Sequence, residues 1–281
     1  MIDFKQTADL HTHTTRSDGA SSPQELLRQA KRQQLSYVAI TDHDCYSYTD
    51  ALAKEAASLG IRLIPGVELS TWDAKRQRKV HLLCYAPKKT DALFRHCETV
   101  CRERIEVGEE MIALVQREFP ITREEVYAHA EGCASLYRQH IMRTLMDYGY
   151  AERLYGDLYR YLFSSKDGIA FRQVIYPKLE TVLSLIHESG GLCVMAHPYE
   201  YRTLELMEEL TAQGALDGIE VWHSRCTPEG EAHLEAFASA HGLLMTAGSD
   251  YHGMNCGKPS PLGNRRLSGL RLERFLEALE Y

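Results

Sequence analysis

The 281-residue chain has no apolar run approaching the ~18 uncharged residues that a membrane-spanning helix needs. Its first residues lack the charged-then-apolar layout of a secretion signal, so the expected compartment is the cytoplasm. The eight cysteines include no CxxC pair and sit in apolar stretches such as Leu83-Cys84-Tyr85, which argues against a disulfide frame and for reduced packing residues. Basic residues are not in excess: 32 Lys and Arg face 39 Asp and Glu, and the net charge of −7 speaks against holding nucleic acid by bulk electrostatics. GxSxG, HExxH and GxxxxGK[ST] are all missing, so no serine elbow, zincin helix or P-loop competes for the chemistry. No internal repeat or linker-like Pro/Ser tract divides the chain. With 44% hydrophobic and 25% charged residues, it has the composition of a globular protein long enough to bury a real core.

Histidine is what the chain does have, 13 of them, and their placement is not random. Seven short apolar or β-branched runs, at 6–10, 37–41, 62–67, 80–86, 192–196, 218–222 and 243–247, read as strands. Helical patterns separate most of them, the alternation expected of β/α units around a largely parallel sheet. The first helix is signalled by Ser22 as cap, Pro23 in the first turn and Glu25 completing a capping box. Others are expected at 48–59, 178–189, 204–213, 228–241 and 270–279. Only the polar stretch 70–79 joins the third and fourth strands, too short for a parallel crossover. An antiparallel connection there puts His81 on the same face as Glu68.

The residues just past the strands share a chemical character: His11-Thr-His13, Asp42-His43, Glu68, His197, His223 and Asp250-Tyr-His252. In β/α barrels, catalytic groups project from the carboxyl ends of strands, so the series converges on one mouth. A lone strand histidine is most often a hydrogen-bonded core residue, but that reading does not extend to a set sharing one topological position. The HxH spacing places two imidazoles on one face of an extended chain. Imidazoles mixed with carboxylates, without cysteine, suit Zn, Mn or Fe, and they are too many for one ion.

At these residues the sequence resembles the PHP (polymerase and histidinol phosphatase) superfamily of metal-dependent phosphoesterases. The matching segments are Asp9-Leu-His-Thr-His13 with Ser17-Asp18-Gly19, Ile40-Thr-Asp-His-Asp44, Pro65-Gly-Val-Glu68, Val80-His81, Met195-Ala-His-Pro198 and Gly248-Ser-Asp-Tyr-His252. The resemblance implies an α/β fold, a distorted seven-stranded TIM-like (β/α) barrel, with two or three divalent ions (Mn, Fe or Zn). It also implies the ligands: His11, His13, Glu68 and Asp250 for one ion; Glu68 bridging to a second with His81 and His197; Asp18, His43 and His252 for a third. Asp42 is expected to orient a metal-bound imidazole rather than bind metal. The implied reaction is hydrolysis of a phosphate ester by hydroxide generated at clustered cations.

Residues 90–172 break the β/α rhythm and read as a mostly helical cap over the mouth, between barrel segments 1–89 and 173–281. Within it, Arg138-Gln-His140 and Arg143 resemble a segment of PHP enzymes that act on nucleoside phosphates, with Gln139 where many of these have Pro. Arg138, His140, Arg143 and His223 are therefore candidate substrate contacts, through phosphate clamping by guanidinium in the case of the arginines. Tyr199, Tyr201, Trp222 and Tyr251 stand beside strand ends and are candidates for stacking on a base. The expected substrate is a small phosphorylated nucleotide, such as a 3′,5′-nucleoside bisphosphate or a short RNA end, rather than a long nucleic acid. The rivals are a phosphatase of another small ester or oligophosphate, including histidinol phosphate, a non-catalytic metal-binding module, and an amidohydrolase. The last usually wants a carboxylated Lys or a mononuclear site, and no Lys stands at an expected strand end.

Overall fold

The structure, a computed structural model, describes residues 6–258 and 260–280. Seven strands form the wall of a barrel: β1 (Thr7–Asp9), β2 (Tyr37–Ile40), β3 (Arg62–Asp73), β4 (Arg78–Tyr85), β5 (Leu192–Met195), β6 (Gly218–His223) and β7 (Leu244–Gly248). Neighbours pair in parallel except β4, which runs antiparallel to both β3 and β5. The chain beyond β1 closes the barrel against β7, where Leu10 N–H donates to Ala247 O at 3.0 Å and Asp250 N–H to His11 O at 2.9 Å. An eighth strand, β8 (Leu267–Ser268), pairs antiparallel with β1 at its outer edge. With two residues, and no apolar run around them, it leaves no pattern to read in the sequence.

The connection between the third and fourth strands is the antiparallel hairpin the short linker requires, but the paired region is longer than expected. β3 runs on to Asp73, with register from Gly66↔Tyr85 to Asp73↔Arg78. Glu68 is thus inside a strand and not at its end. Polar Ser70, Thr71 and Asp73 hide this extension from an apolar-run reading, although all three are buried.

Helices α1 (Pro23–Arg32), α2 (Asp50–Ser58), α7 (Leu179–Ser189), α8 (Leu204–Ala212), α9 (Pro228–His241) and α10 (Gly269–Leu279) follow the barrel strands. Ser22 and Glu25 form the reciprocal capping box on α1. The insert contributes α3 (Asp91–Val115), α4 (Arg123–His129), α5 (Arg138–Asp147) and α6 (Asp157–Phe163), which pack on a core of their own including Met111, Ile112, Leu145 and Phe163. Among the described residues, no helix is long and apolar enough to cross a membrane.

Strand parity positions the site. Side chains alternate faces along a strand, so Ile64 and Glu68 on β3, and His81, Leu83 and Tyr85 on β4, all point inward. The inward positions at one end are apolar: Ala8, Ile64, Leu83, Tyr85 and Val194 pack with Leu272 and Phe275 of α10. Those at the other end are ionisable: Glu68, His81 and Glu220, each buried. The outward positions Val67, Leu69, Leu82 and Ile219 pack with α7 and α8 in a separate layer. One barrel interior therefore holds an apolar floor and a charged mouth.

Candidate metal centre

Glu68 lies at the centre of the mouth. Its Oε1 is 2.6 Å from His81 Nδ1 and 2.9 Å from His197 Nε2. Its Oε2 is 3.0 Å from His43 Nδ1 and 3.2 Å from both His11 Nε2 and His13 Nε2. A second carboxylate, Asp250, brings Oδ1 to 3.2 Å from His13 Nε2 and 3.6 Å from His11 Nε2. The third, Asp18, places Oδ1 3.2 Å from His252 Nε2 and Oδ2 3.8 Å from His43 Nε2. His13, Asp18, His43 and His252 each offer a ligand atom, all within 4.8 Å of one another. The sets His11/His13/Asp250, His11/Glu68/His197 and His43/Glu68/His81 meet the same limit. All nine residues expected to bind metal thus stand in one cluster.

The donor set fits divalent cations better than it fits itself. His11 Nε2, both ring nitrogens of His13, His43 Nδ1, Glu68 Oε2, His81 Nε2 and His197 Nδ1 are buried without a properly directed hydrogen bond. Each buried polar atom left unmet costs about 1–3 kcal/mol, and so many in one place is what a cation-binding shell looks like with its lone pairs aimed inward. The backbone is strained at the same place. His197 (φ 30°), Asp250 (φ 50°) and Asp44 (φ 51°) are left-handed non-glycine residues at strand ends, which turn the chain so that the ligands face the mouth. Gly248 is required by close approach, since a Cβ there would stand 2.2 Å from His11 Cβ.

Charge is balanced within the cluster. Burial opposes ionisation of Glu68, yet His81, His43 and His11 outweigh it and hold the carboxyl well below its usual range. Asp250 and Asp18 are held low in the same way, against burial, chiefly by His252. For His252, burial disfavours the cation, but Asp18 and Asp250 raise its pKa to about 10.

Asp42 does not have the role expected of it. Its carboxylate accepts from Thr14 N–H and Thr14 Oγ1 at 2.7 Å and from Ser17 Oγ and Ser47 Oγ at 2.6 Å, and no imidazole is among its partners. Its neighbour His43 takes the side facing the cluster, so Asp42 instead ties together the loop that carries His13 and Asp18. The orienting carboxylate is Glu220, which sequence reasoning missed: Oε1 accepts from His11 Nδ1 and Oε2 from the His197 backbone N–H, both at 2.9 Å. A lone acid at an inward position of the apolar run Gly218-Ile-Glu-Val was the available signal. Removing such a partner typically costs 10–100-fold in metal affinity. Glu220→Gln is expected to weaken metal binding by about that factor without unfolding the chain, as read by metal titration and circular dichroism; unchanged affinity would refute this role.

The four candidate substrate contacts divide. Arg138 lines a cavity of about 530 Å³ above the cluster, its guanidinium 4.9 Å from the Phe171 ring centroid and bonded to Arg172 O rather than to an acid. His140 is buried and accepts the Tyr137 N–H on Nδ1, serving as a cap of α5. Arg143 donates from Nε and Nη2 to Asn255 Oδ1, and Asn255 in turn donates to Asp18 O at 2.8 Å. His223 accepts the Arg225 N–H on Nδ1 and sets Nε2 3.4 Å from Asp250 Oδ2, behind the cluster. Gln139 reaches Asp18 Oδ2 at 3.4 Å. Of the four aromatic candidates, Tyr201 lines the cavity, joined by Tyr137, Tyr155, Tyr159 and Tyr176 from the insert and its return. Tyr251 is buried against Ser21 and Gln29, Tyr199 bonds His233, and Trp222 packs under Arg271.

Residues 9–192, more than half of the chain, match the PHP domain family. Over 87% of its length the chain is 32% identical to the phosphoribosyl 1,2-cyclic phosphate 1,2-diphosphodiesterase of Eggerthella lenta (94% of that protein). It is 33% identical to the 5′-3′ exoribonuclease Rnm of Escherichia coli over 87% of its length and 84% of that protein. It is 29% identical to the 3′,5′-nucleoside bisphosphate phosphatase of Chromobacterium violaceum, over 87% and 86%. A crystal structure from Bifidobacterium adolescentis, described as that of a metal-dependent phosphoesterase, superposes with a TM-score of 0.86 at 30% identity, covering 98% of this chain and 96% of that one. Barrel, clustered donors and relatives agree: the chain belongs to the PHP domain family, and its kinship there is with hydrolases of phosphoric esters.

Proposed function

We propose that the protein is a phosphoesterase using two or three divalent ions (Mn, Fe or Zn) to release phosphate from a small phosphorylated nucleotide, a 3′,5′-nucleoside bisphosphate or a short RNA end. The observation that carries this is the convergence of nine ionisable ligands, six imidazoles and three carboxylates, beneath a cavity of nucleotide size. His11, His13, Glu68 and Asp250 hold one ion, Glu68 with His81 and His197 a second, and Asp18, His43 and His252 a third. Bound there, the ions supply positive charge against the phosphoryl oxygens and make water acidic enough to ionise near neutral pH.

The chain's own residues bind and position. Arg138 meets the substrate from the cavity wall with a planar guanidinium suited to phosphoryl oxygens. Arg143 acts one step back, through Asn255, on the loop that presents Asp18, and His140 fixes the start of the helix that carries both arginines. His223 steadies Asp250. The tyrosines offer faces for a base. A pocket of this size suits a nucleotide or a chain end better than a duplex lying across the surface. Eight free thiols fit a reducing compartment, for which we infer the cytoplasm.

Metal analysis combined with a phosphate-release screen over nucleotides, sugar phosphates, oligophosphates and histidinol phosphate tests this reading. Purified protein is expected to carry at least two ions per chain and to favour a phosphorylated nucleotide. Failure of Mn-reconstituted protein to hydrolyse any of these esters would refute the hydrolase reading, and fewer than two ions per chain would refute the multinuclear assignment.

A further inference from the structure

Lys79 is one of the cations of the cavity wall. It stands on β4 two residues before His81, on the same inward face, so about 7 Å of strand separates it from the ligand cluster. Among the described residues, no carboxylate lies within salt-bridge distance of its Nζ. Its neighbours are aromatic: Nζ is 4.9 Å from the Tyr176 ring centroid and 5.9 Å from that of Tyr201. Tyr201 in turn packs edge-on to His81 at 5.0 Å and lies 5.1 Å from His197, bridging the lysine to the centre.

A second cation stands beside Tyr176, with the Arg104 Cζ 5.5 Å from its ring centroid. Arg104 of α3 donates from Nη1 to the Tyr176 hydroxyl at 3.1 Å, and its Nη2 is 2.5 Å from Asp44 Oδ2. Its Nε is left without a partner although the residue is only 6% exposed, and the side chain lines the same cavity. An ammonium without a counter-ion, backed by a guanidinium with an unmet donor, is an anion site. It is separate from the reacting centre by roughly the span of two strand residues.

We propose that Lys79, with Tyr176 and Arg104 behind it, receives the second, non-reacting phosphoryl group of the substrate. This rests on the nucleotide phosphoesterase reading above and names what that reading leaves open, namely how a substrate with two phosphoryl groups is told from one with a single group. The second group is either a terminal monoester, as in a nucleoside bisphosphate, or the internucleotide diester of a short RNA. Both present anionic oxygens one nucleoside away from the phosphate that reacts.

The test compares wild type, Lys79→Met and Lys79→Arg, each loaded with Mn, on adenosine 3′,5′-bisphosphate, a 5′-phosphorylated dinucleotide, and adenosine 3′- and 5′-monophosphates. Loss of one charge-assisted contact predicts a fall of about 10–100-fold in kcat/KM for a substrate with two phosphoryl groups, mostly through KM, in Lys79→Met. The monophosphates should change by less than about threefold, and Lys79→Arg should restore most of the loss. Loss on the bisphosphate alone assigns the site to a terminal monoester; loss on the dinucleotide alone assigns it to the diester. Equal losses on the monophosphates and on the substrates with two phosphoryl groups, or no loss on either the bisphosphate or the dinucleotide, would overturn the proposal. If the wild type hydrolyses none of these compounds, the catalytic reading fails separately. Calorimetric binding of the bisphosphate and the monophosphates then decides, with the same selective weakening in Lys79→Met required.

Discussion

Glu68→Gln is expected to lower phosphate release by about three orders of magnitude or more, a loss of roughly 4 kcal/mol of transition-state stabilisation. The substitution removes one oxygen and the charge from a group that five imidazoles approach within 3.2 Å. Gln keeps the shape and one acceptor, so the barrel interior stays filled and the inward packing of β3 is preserved. What it cannot keep is the anion that, in the proposed function, would serve two cation positions, because the amide nitrogen has no lone pair to offer a metal. Metal content should therefore fall together with activity, while far-ultraviolet circular dichroism stays at the wild-type spectrum. Asp250→Asn should behave similarly, since Asp250 Oδ1 faces His11, His13 and His252. Full metal occupancy with near-wild-type turnover in Glu68→Gln would remove Glu68 from the centre of the mechanism.

Much of this centre was legible because barrel geometry and residue chemistry coincide. His11, His13, His43, His197, Asp250 and His252 stand at or just beyond strand ends, and the linker length alone turned β4 round to bring in His81. What stayed hidden depends on contacts between segments far apart in the chain. Glu220 and Lys79 sit at alternating positions of strands, where a polar residue reads equally as facing solvent or facing an interior. Only barrel closure, and the insert carrying Arg104 to Tyr176, decide which it is. The face of a helix can be read from spacing, but the residue it meets cannot. Arg143 and His140 thus read as candidate substrate contacts, while one holds Asn255 and the other caps its own helix. Asp42 misled for the same reason: its neighbour on the chain is an expected ligand, whereas its partners are three hydroxyls and a backbone N–H.

The Arg104–Asp44 pair makes the largest expected stability effect outside the apolar core. Both side chains are buried, at 7% and 0% exposure, and Nη2 to Oδ2 is 2.5 Å. Asp44 also accepts the Ser70 N–H at 2.8 Å, so one carboxylate joins the His43 loop, β3 and the insert helix α3. Arg104 further lies over the Tyr137 ring at 4.8 Å, and the Tyr137 hydroxyl donates to His43 O. Removing one partner of a buried pair leaves an uncompensated charge and costs about 3–5 kcal/mol, whereas removing both charges is often close to neutral. Arg104→Met is therefore expected to lower the unfolding free energy by about 3–5 kcal/mol in urea titration. Adding Asp44→Asn to it should recover a large part of that loss, where two independent sites would add their costs. A single-variant effect below about 1 kcal/mol, or simple additivity, would mean that the insert leans on the barrel without this ionic link. Strong coupling instead makes the insert part of one cooperative unit with the His43 loop, so that the segment forming the cavity wall also holds in place the loop of a proposed metal ligand.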